Sequence, residues 1–391
     1  MLAIKNGLVF YKNKFVNLDL AVEDGKIAAI GKNLKADEHF DAVGLLVLPG
    51  LIDPHVHLRE PGAEYKEDFA TGSRAAIAGG FTTVMDMPNN PQPTVSVARY
   101  REKQQLAAKA VCNILFHFGA TDANFGEAKK AGAGSMKIYL GKTTGELFLK
   151  QPDSLEKHFA SFNGNFVFHA AVPAANEPQE IENTCGNINA VGLLAKKYKR
   201  KAHIAHVSAA AEAIAAKKHK LTAEVAPHYL FLSTKDAEKL GFRGTVYPNL
   251  RSDGIRRKLW DELPTIDCIA TDHAPHTLED KQKGARGFPG LETSLAVMLQ
   301  AYSERLLSLE WLVAAMSEKS AAIFGLKGRG KIEKGAAADI TLVDLKKEWT
   351  VDGSELETKC KWSPFEGKKL KGKVKAVFVG GKLIFDGYSF L

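Results

Sequence analysis

Short apolar runs separated by longer amphipathic segments fill the centre of this chain, whereas both ends carry the two-residue alternation of antiparallel strands. Near the amino terminus, LAIKNGLVF, FVNLDLAVEDG and KIAAIG alternate apolar and polar positions and are broken by Asn-Gly and Asp-Gly, dipeptides that favour tight hairpin turns. ADITLVDL and VKAVFVGGKLIFDG repeat the pattern near the carboxyl terminus. Neither end holds enough strands for a sandwich of its own. The pattern therefore predicts one small composite β-sandwich domain built from residues 1–49 and 330–391.

The central residues, 50–329, follow another rule. LIDPHVHL, FTTVMDMP, VCNILFHFGA, SMKIYL, FVFHA, KAHIAHVS, TAEVAPHYLFL and DCIATDHAP are eight strand candidates. Helix-like segments such as EDFATGSRAAIAGG, SVARYREKQQLAAKAV and AAAEAIAAKKHK intervene. Strands alternating with helices predict an α/β fold, a (β/α)8 TIM-type barrel, in which the carboxyl ends of the strands carry the site.

Those ends are rich in residues of catalytic type. His55 and His57 lie two apart, so in a strand they project to one side while Val56 turns away. Lys137, His169, His206 and Asp272 follow at other strand ends, with His273 and His276 close behind Asp272. A lone histidine in an apolar run is usually a packed core residue. Histidines and an aspartate at several strand ends of one barrel point instead to a metal, and imidazole plus carboxylate without cysteine fits a catalytic zinc-type site. Lys137 has two readings: an ammonium reaching solvent or a carboxylate, or an amine carboxylated by carbon dioxide whose two oxygens serve two metals. Arg59, two residues beyond His57, can grip a carboxylate through paired hydrogen bonds.

Composition adds exclusions. The 391 residues are 45% hydrophobic and 25% charged, as expected for one large and one small globular unit. No apolar run nears the roughly 20 residues of a membrane span, and MLAIKNGLVFYKNKF lacks a signal-peptide pattern; no membrane association and a cytoplasmic location are expected. Cys112, Cys185, Cys268 and Cys360 form no CxxC pair, which argues against a disulfide framework or a cysteine zinc site. The net charge of +8 is spread out. Its densest cluster, KKYKR at 196–200, reads as a solvated helix end, so nucleic acid is not an expected partner. An anionic small substrate or an acidic partner is modestly favoured.

PGLIDPHVHLREPG, KEDFATGSRAAIAGGFTTVMDMPN, KIYL, IAHVS, EVAPHYLFLS, DCIATDHAPHTLEDK and GFPGLET span the predicted barrel. Through them the chain resembles the dihydroorotases of the amidohydrolase superfamily, and in particular the type within the animal multifunctional pyrimidine-synthesis protein. WSPFEGKKLKGKV resembles the same family's composite β-domain. The resemblance implies reversible cyclisation of N-carbamoyl-L-aspartate to dihydroorotate. It implies two zinc ions, one held by His55, His57 and Asp272 and the other by His169 and His206. Carboxylated Lys137 and a hydroxide would bridge them, and Asp272 would shuttle the proton. It further implies that Arg59, Asn89 and His276 hold the substrate carboxylate, that Thr143 meets substrate from a lid at 139–146, and that the 287–292 wall, including Gly290, lies beside the ring. A homodimer and association with aspartate transcarbamoylase are also implied.

Two positions depart from the family pattern. Ala171 stands where an acidic residue usually follows the fifth-strand ligand, and Tyr247 where an asparagine often meets the ring, with Asn249 nearby. The rival readings are an allantoinase or hydantoinase, and a catalytically weak partner of aspartate transcarbamoylase. Allantoinases typically carry asparagine at the position of Arg59, and the weak-partner reading is disfavoured because every ligand position is filled.

Overall fold

The computed structural model describes residues 1–142 and 147–391. β1 (Leu2–Tyr11), β2 (Lys14–Glu23) and β3 (Lys26–Gly31) form an antiparallel meander, and β4 (Glu38–Asp41) and β5 (Leu46–Pro49) lie parallel to β1. The expected turn at Asp24-Gly25 joins β2 to β3, both residues having positive φ. The expected turn at Asn6-Gly7 is instead an irregularity inside β1, and the chain reverses at Lys12 and Asn13, with φ of 51° and 60°. Close approach accounts for Gly7: a Cβ there would sit 2.3 Å from Val47 Cγ2 on β5.

Nine further strands are described in the central residues. β6 (Leu51–Val56), β7 (Phe81–Asp86) and β8 (Asn113–Phe116) form a parallel three-stranded sheet. β9 (Phe118–Gly119), β10 (Ser135–Tyr139), β11 (Asn165–His169), β12 (Ala202–Ile204), β13 (Thr222–Val225) and β14 (Cys268–Ile269) form a parallel sheet in sequence order. Each predicted central run contains one strand, except VCNILFHFGA, which is split at His117. That imidazole is anchored between Pro54 O, at 2.9 Å, and Ser135 Oγ, at 2.7 Å. Beyond β14, His273 makes a parallel bridge to Val56 of β6. TAEVAPHYLFL is a strand only to Val225; Pro227, suited to a first helical turn, begins the short helix Pro227–Phe231.

β15 (Ile340–Thr350), β16 (Lys369–Val379) and β17 (Lys382–Phe385) return to the first sheet, where β15 pairs with β5 and sets Leu342 opposite Val47. The predicted central helices are present at Phe69–Ala78, Val97–Leu106 and Ala210–Lys218. Asp68 caps the first, accepting the Thr71 N–H at 2.8 Å while Thr71 Oγ1 accepts the Asp68 N–H at 3.3 Å. This reciprocal arrangement satisfies two otherwise orphaned donors. Lys103 of the second helix is fully buried and reaches Asp86 at the end of β7, 2.6 Å away. No helix among the described residues is long and apolar enough to cross a membrane.

Candidate active site

The carboxyl ends of β6, β10, β11, β12 and β14 converge. His55 is the penultimate residue of β6 and His57 lies just beyond its end, Lys137 lies within β10, His169 ends β11, and His206 and Asp272 follow β12 and β14. His55 and His57 direct Nε2 to Asp272 Oδ1, at 3.4 and 3.2 Å. The ligand atoms of these three residues lie within 4.8 Å of one another. His169 Nδ1 and His206 Nε2 meet at 2.9 Å, and the His206 ring centroid lies 5.2 Å from that of His55. All four imidazoles are held below the ordinary histidine range, so they are neutral and their lone pairs are available. Burial is the main cause in each. The next cause is Lys137 for His55 and His169, Arg59 for His57, and His169 for His206.

Lys137 is fully buried, and its Nζ has no hydrogen-bond partner among the described residues. Burial lowers its ammonium to about 8. An orphaned polar atom of this kind is rare in a folded interior and calls for a missing partner. Together with the convergent imidazoles and Asp272 it fits a metal centre.

Arg59 is buried beside this set, its Nε donating to Pro275 O at 3.0 Å and its Nη2 lying 3.0 Å from His276 Nε2. Burial lowers its guanidinium to about 10, which leaves it charged at neutral pH. Lys66 Nζ approaches His276 from the other side, 3.2 Å from Nδ1. Burial, then Arg59 and Lys66, keep that imidazole neutral. Asn89 Oδ1 accepts the His57 Nδ1–H at 2.8 Å and so fixes which ring nitrogen faces Asp272. Arg59, His206 and Asp272 all adopt positive φ, 65°, 40° and 48°. Such conformations are uncommon outside glycine and concentrate at functional sites.

Arg59, Asn89 and the four histidines therefore line one cavity with Asp272, and His276 lines the adjoining one, of about 470 Å³. Gly290 is differently placed. Its N–H donates to His273 Nδ1 at 3.1 Å, and Gly287 lines the cavity instead. Thr143 and the second half of the expected lid, 143–146, lie outside the described residues. Tyr247 does line the cavity, its ring 5.4 Å from His169, whereas Asn249 is turned to Glu180, 3.0 Å away. Sequence reasoning missed Tyr139, Arg286 and Glu224. Tyr139 could have been found from its position two residues beyond Lys137 on the same strand face, and Glu224 as a lone acid in an apolar run.

Residues 46–384 match the model of the amidohydrolase family. The chain belongs to the amidohydrolase family. Amidohydrolases generally depend on a metal, in keeping with the group formed by His55, His57 and Asp272. Within the family, the chain is similar to the dihydroorotase of Thermococcus kodakarensis, with 36% identity covering 98% of this chain and 94% of the relative. It is also similar to the multifunctional protein CAD of Squalus acanthias, 37% identical over 92% of this chain but only 16% of that longer protein. Among solved amidohydrolase structures, L-hydantoinase (dihydropyrimidinase) from Arthrobacter aurescens superposes with a TM-score of 0.93 at 28% identity, covering 100% of this chain and 97% of the other.

Proposed function

We propose that the chain is a dihydroorotase, a cyclic amide hydrolase of pyrimidine biosynthesis that closes N-carbamoyl-L-aspartate to L-dihydroorotate with loss of water and reopens it. The observation that carries this reading is buried, charged Arg59 at the mouth of the same cavity as the histidines and Asp272. Dihydroorotate bears a ring carboxylate for that guanidinium, and a hydantoin without an acidic substituent does not. Asn89 and His276 flank the same carboxylate position.

His55, His57 and Asp272 would hold one zinc ion and His169 and His206 a second, with Lys137, carboxylated, as the shared ligand. A neutral amine is the form that adds carbon dioxide, and burial of Lys137 favours it. When bound, zinc makes water nucleophilic near neutral pH and polarises the scissile carbonyl. In ring opening, Asp272 accepts the proton of the attacking water and returns it to the ring nitrogen as the carbon–nitrogen bond breaks. Ring closure reverses each transfer. Arg59 fixes the carboxylate so that the carbonyl faces Asp272.

The strands β6–β14, with β8 and β9 as one stave, are read as a (β/α)8 barrel over residues 50–329. Their parallel pairing and the Val56–His273 bridge support closure. The sheet of residues 1–49 and 330–391 is read as the composite second domain. A cytoplasmic homodimer is proposed, as is association with aspartate transcarbamoylase, whose product is the substrate here. Light scattering of the chain alone and with the transcarbamoylase tests both assemblies.

The activity test is a parallel assay of dihydroorotate, allantoin and 5-substituted hydantoins. Turnover of dihydroorotate alone is expected; turnover of hydantoins or allantoin alone would overturn the assignment. Metal analysis after adding zinc with and without bicarbonate tests Lys137, since two ions should be retained only with bicarbonate.

A further inference from the structure

Glu224, in β13, is not among the residues expected to bind metal or substrate, yet it touches both ligand sets. It is 1% exposed. Its Oε1 accepts the His55 Nδ1–H and, at 3.3 Å, the backbone N–H of His206. Its Oε2 accepts the His203 Nε2–H at 2.9 Å, and His203 Nδ1 faces Thr222 Oγ1 at 2.8 Å. One carboxylate thus grips the ring of a residue from the first set and the main chain of a residue from the second. The His206 backbone that it holds has a φ of 40°. A strained conformation of this kind persists only where its surroundings over-determine it.

We propose that Glu224 is the positioning residue that couples the two metal half-sites. This rests on the reading of His55 and His206 as zinc ligands. By accepting the His55 Nδ1–H it fixes the tautomer and aims Nε2 at Asp272. Through the His206 N–H it sets where the second pair of imidazoles stands. Outer carboxylates that orient a ligating histidine typically contribute about 10–100-fold in metal affinity. A carboxylate shared by two sets carries that contribution into both. Asn89 is the contrasting case, because it touches only His57 among the ligands. His203 is the anchor that keeps Glu224 aligned.

His203, Glu224 and Cys268 also lie close enough to form a cation-binding group of their own. In the structure His203 Nε2 and Glu224 Oε2 satisfy each other, so Glu224 is assigned to positioning and not to ligation.

The test is zinc affinity, measured by competition with a chromophoric chelator on the full chain in the presence of bicarbonate. Glu224→Gln should weaken both zinc ions together, by about 10–100-fold each, and recover most of kcat at saturating zinc with KM for dihydroorotate unchanged. Asn89→Ala should weaken one ion only. If Glu224→Gln does not fold, His203→Ala gives the second reading: both ions weakened together, by a smaller factor. Wild-type affinity for both ions in Glu224→Gln, or loss of one ion alone, overturns the coupling. So does anomalous scattering from a metal between His203, Glu224 and Cys268. A wild-type chain that binds fewer than two zinc ions overturns the metal-centre reading itself, and the coupling with it.

Discussion

In the proposed reaction Arg59 and Asp272 would divide the work at the level of single residues, one choosing the ring and the other moving the proton. A hydrogen bond to a charged group contributes about 1.5–3 kcal/mol. Arg59→Gln should therefore lower kcat/KM for dihydroorotate by roughly 10–150-fold, mostly through KM, with zinc content unchanged. An unaltered KM would remove Arg59 from the substrate. Both directions would pass their proton through Asp272. Asp272→Asn should therefore abolish cyclisation and hydrolysis alike, and turnover retained in either direction would rule Asp272 out as shuttle. The candidate ligands were legible because each is a chemically distinctive residue ending an apolar run. Glu224 stood out only as a lone acid in an apolar run; its role was hidden, since its partners His55, His203 and His206 are brought to it by other strands. The positive φ of Arg59 was equally hidden, because nothing in an arginine's residue type signals it.

Individual elements are held in place by buried polar contacts. Lys103 ties the helix Val97–Leu106 to β7 through Asp86, whose other oxygen accepts the Leu58 N–H at 2.7 Å, next to Arg59. Removing one member of a buried pair leaves the other charge uncompensated and typically costs about 3–5 kcal/mol. Lys103→Met is accordingly expected to lower the unfolding free energy obtained from urea titration by that amount; an unchanged value would mean that Asp86 is satisfied without it. Periodicity identified the strands and the three quoted helices. It misjudged Asn6-Gly7 and the end of β13. In the first, glycine serves the approach of Val47. In the second, apolar residues continue past Val225 because the short helix Pro227–Phe231 is itself buried.

Across the whole molecule, Glu292 links the central residues to the carboxyl-terminal segment. It sits at the start of the helix Leu291–Ser303, and its carboxylate accepts the N–H groups of Glu357 and Thr358 at 2.8 and 3.1 Å. Burial, partly offset by those two hydrogen bonds, pushes its carboxyl up to about 8 from an ordinary 4.5. The folded chain therefore binds a proton more tightly than the unfolded chain. Its contribution to stability is full below about pH 4.5 and is lost as pH rises through about 8. Glu292→Gln should abolish that slope, so the gap between variant and wild type in urea midpoint should move in the variant's favour from pH 5 to pH 8.5. A constant gap would show that Glu292 is ionised throughout. The shared sheet was visible in the matching alternation at both ends of the chain. Its register was not, because pairing depends on which strands meet across the molecule.

That pairing has a consequence for biosynthesis. β5 lies between β1 and β15, and Val47 faces Leu342. While the chain is emerging from a ribosome, β1, β2 and β3 can already form their meander, but β5 must keep one edge unpaired until β15 has been made. Contacts so distant in sequence form late, and an open edge invites pairing with another chain. The nascent protein is thus most prone to aggregate while its central residues are being translated, and the arrival of β15 ends that interval.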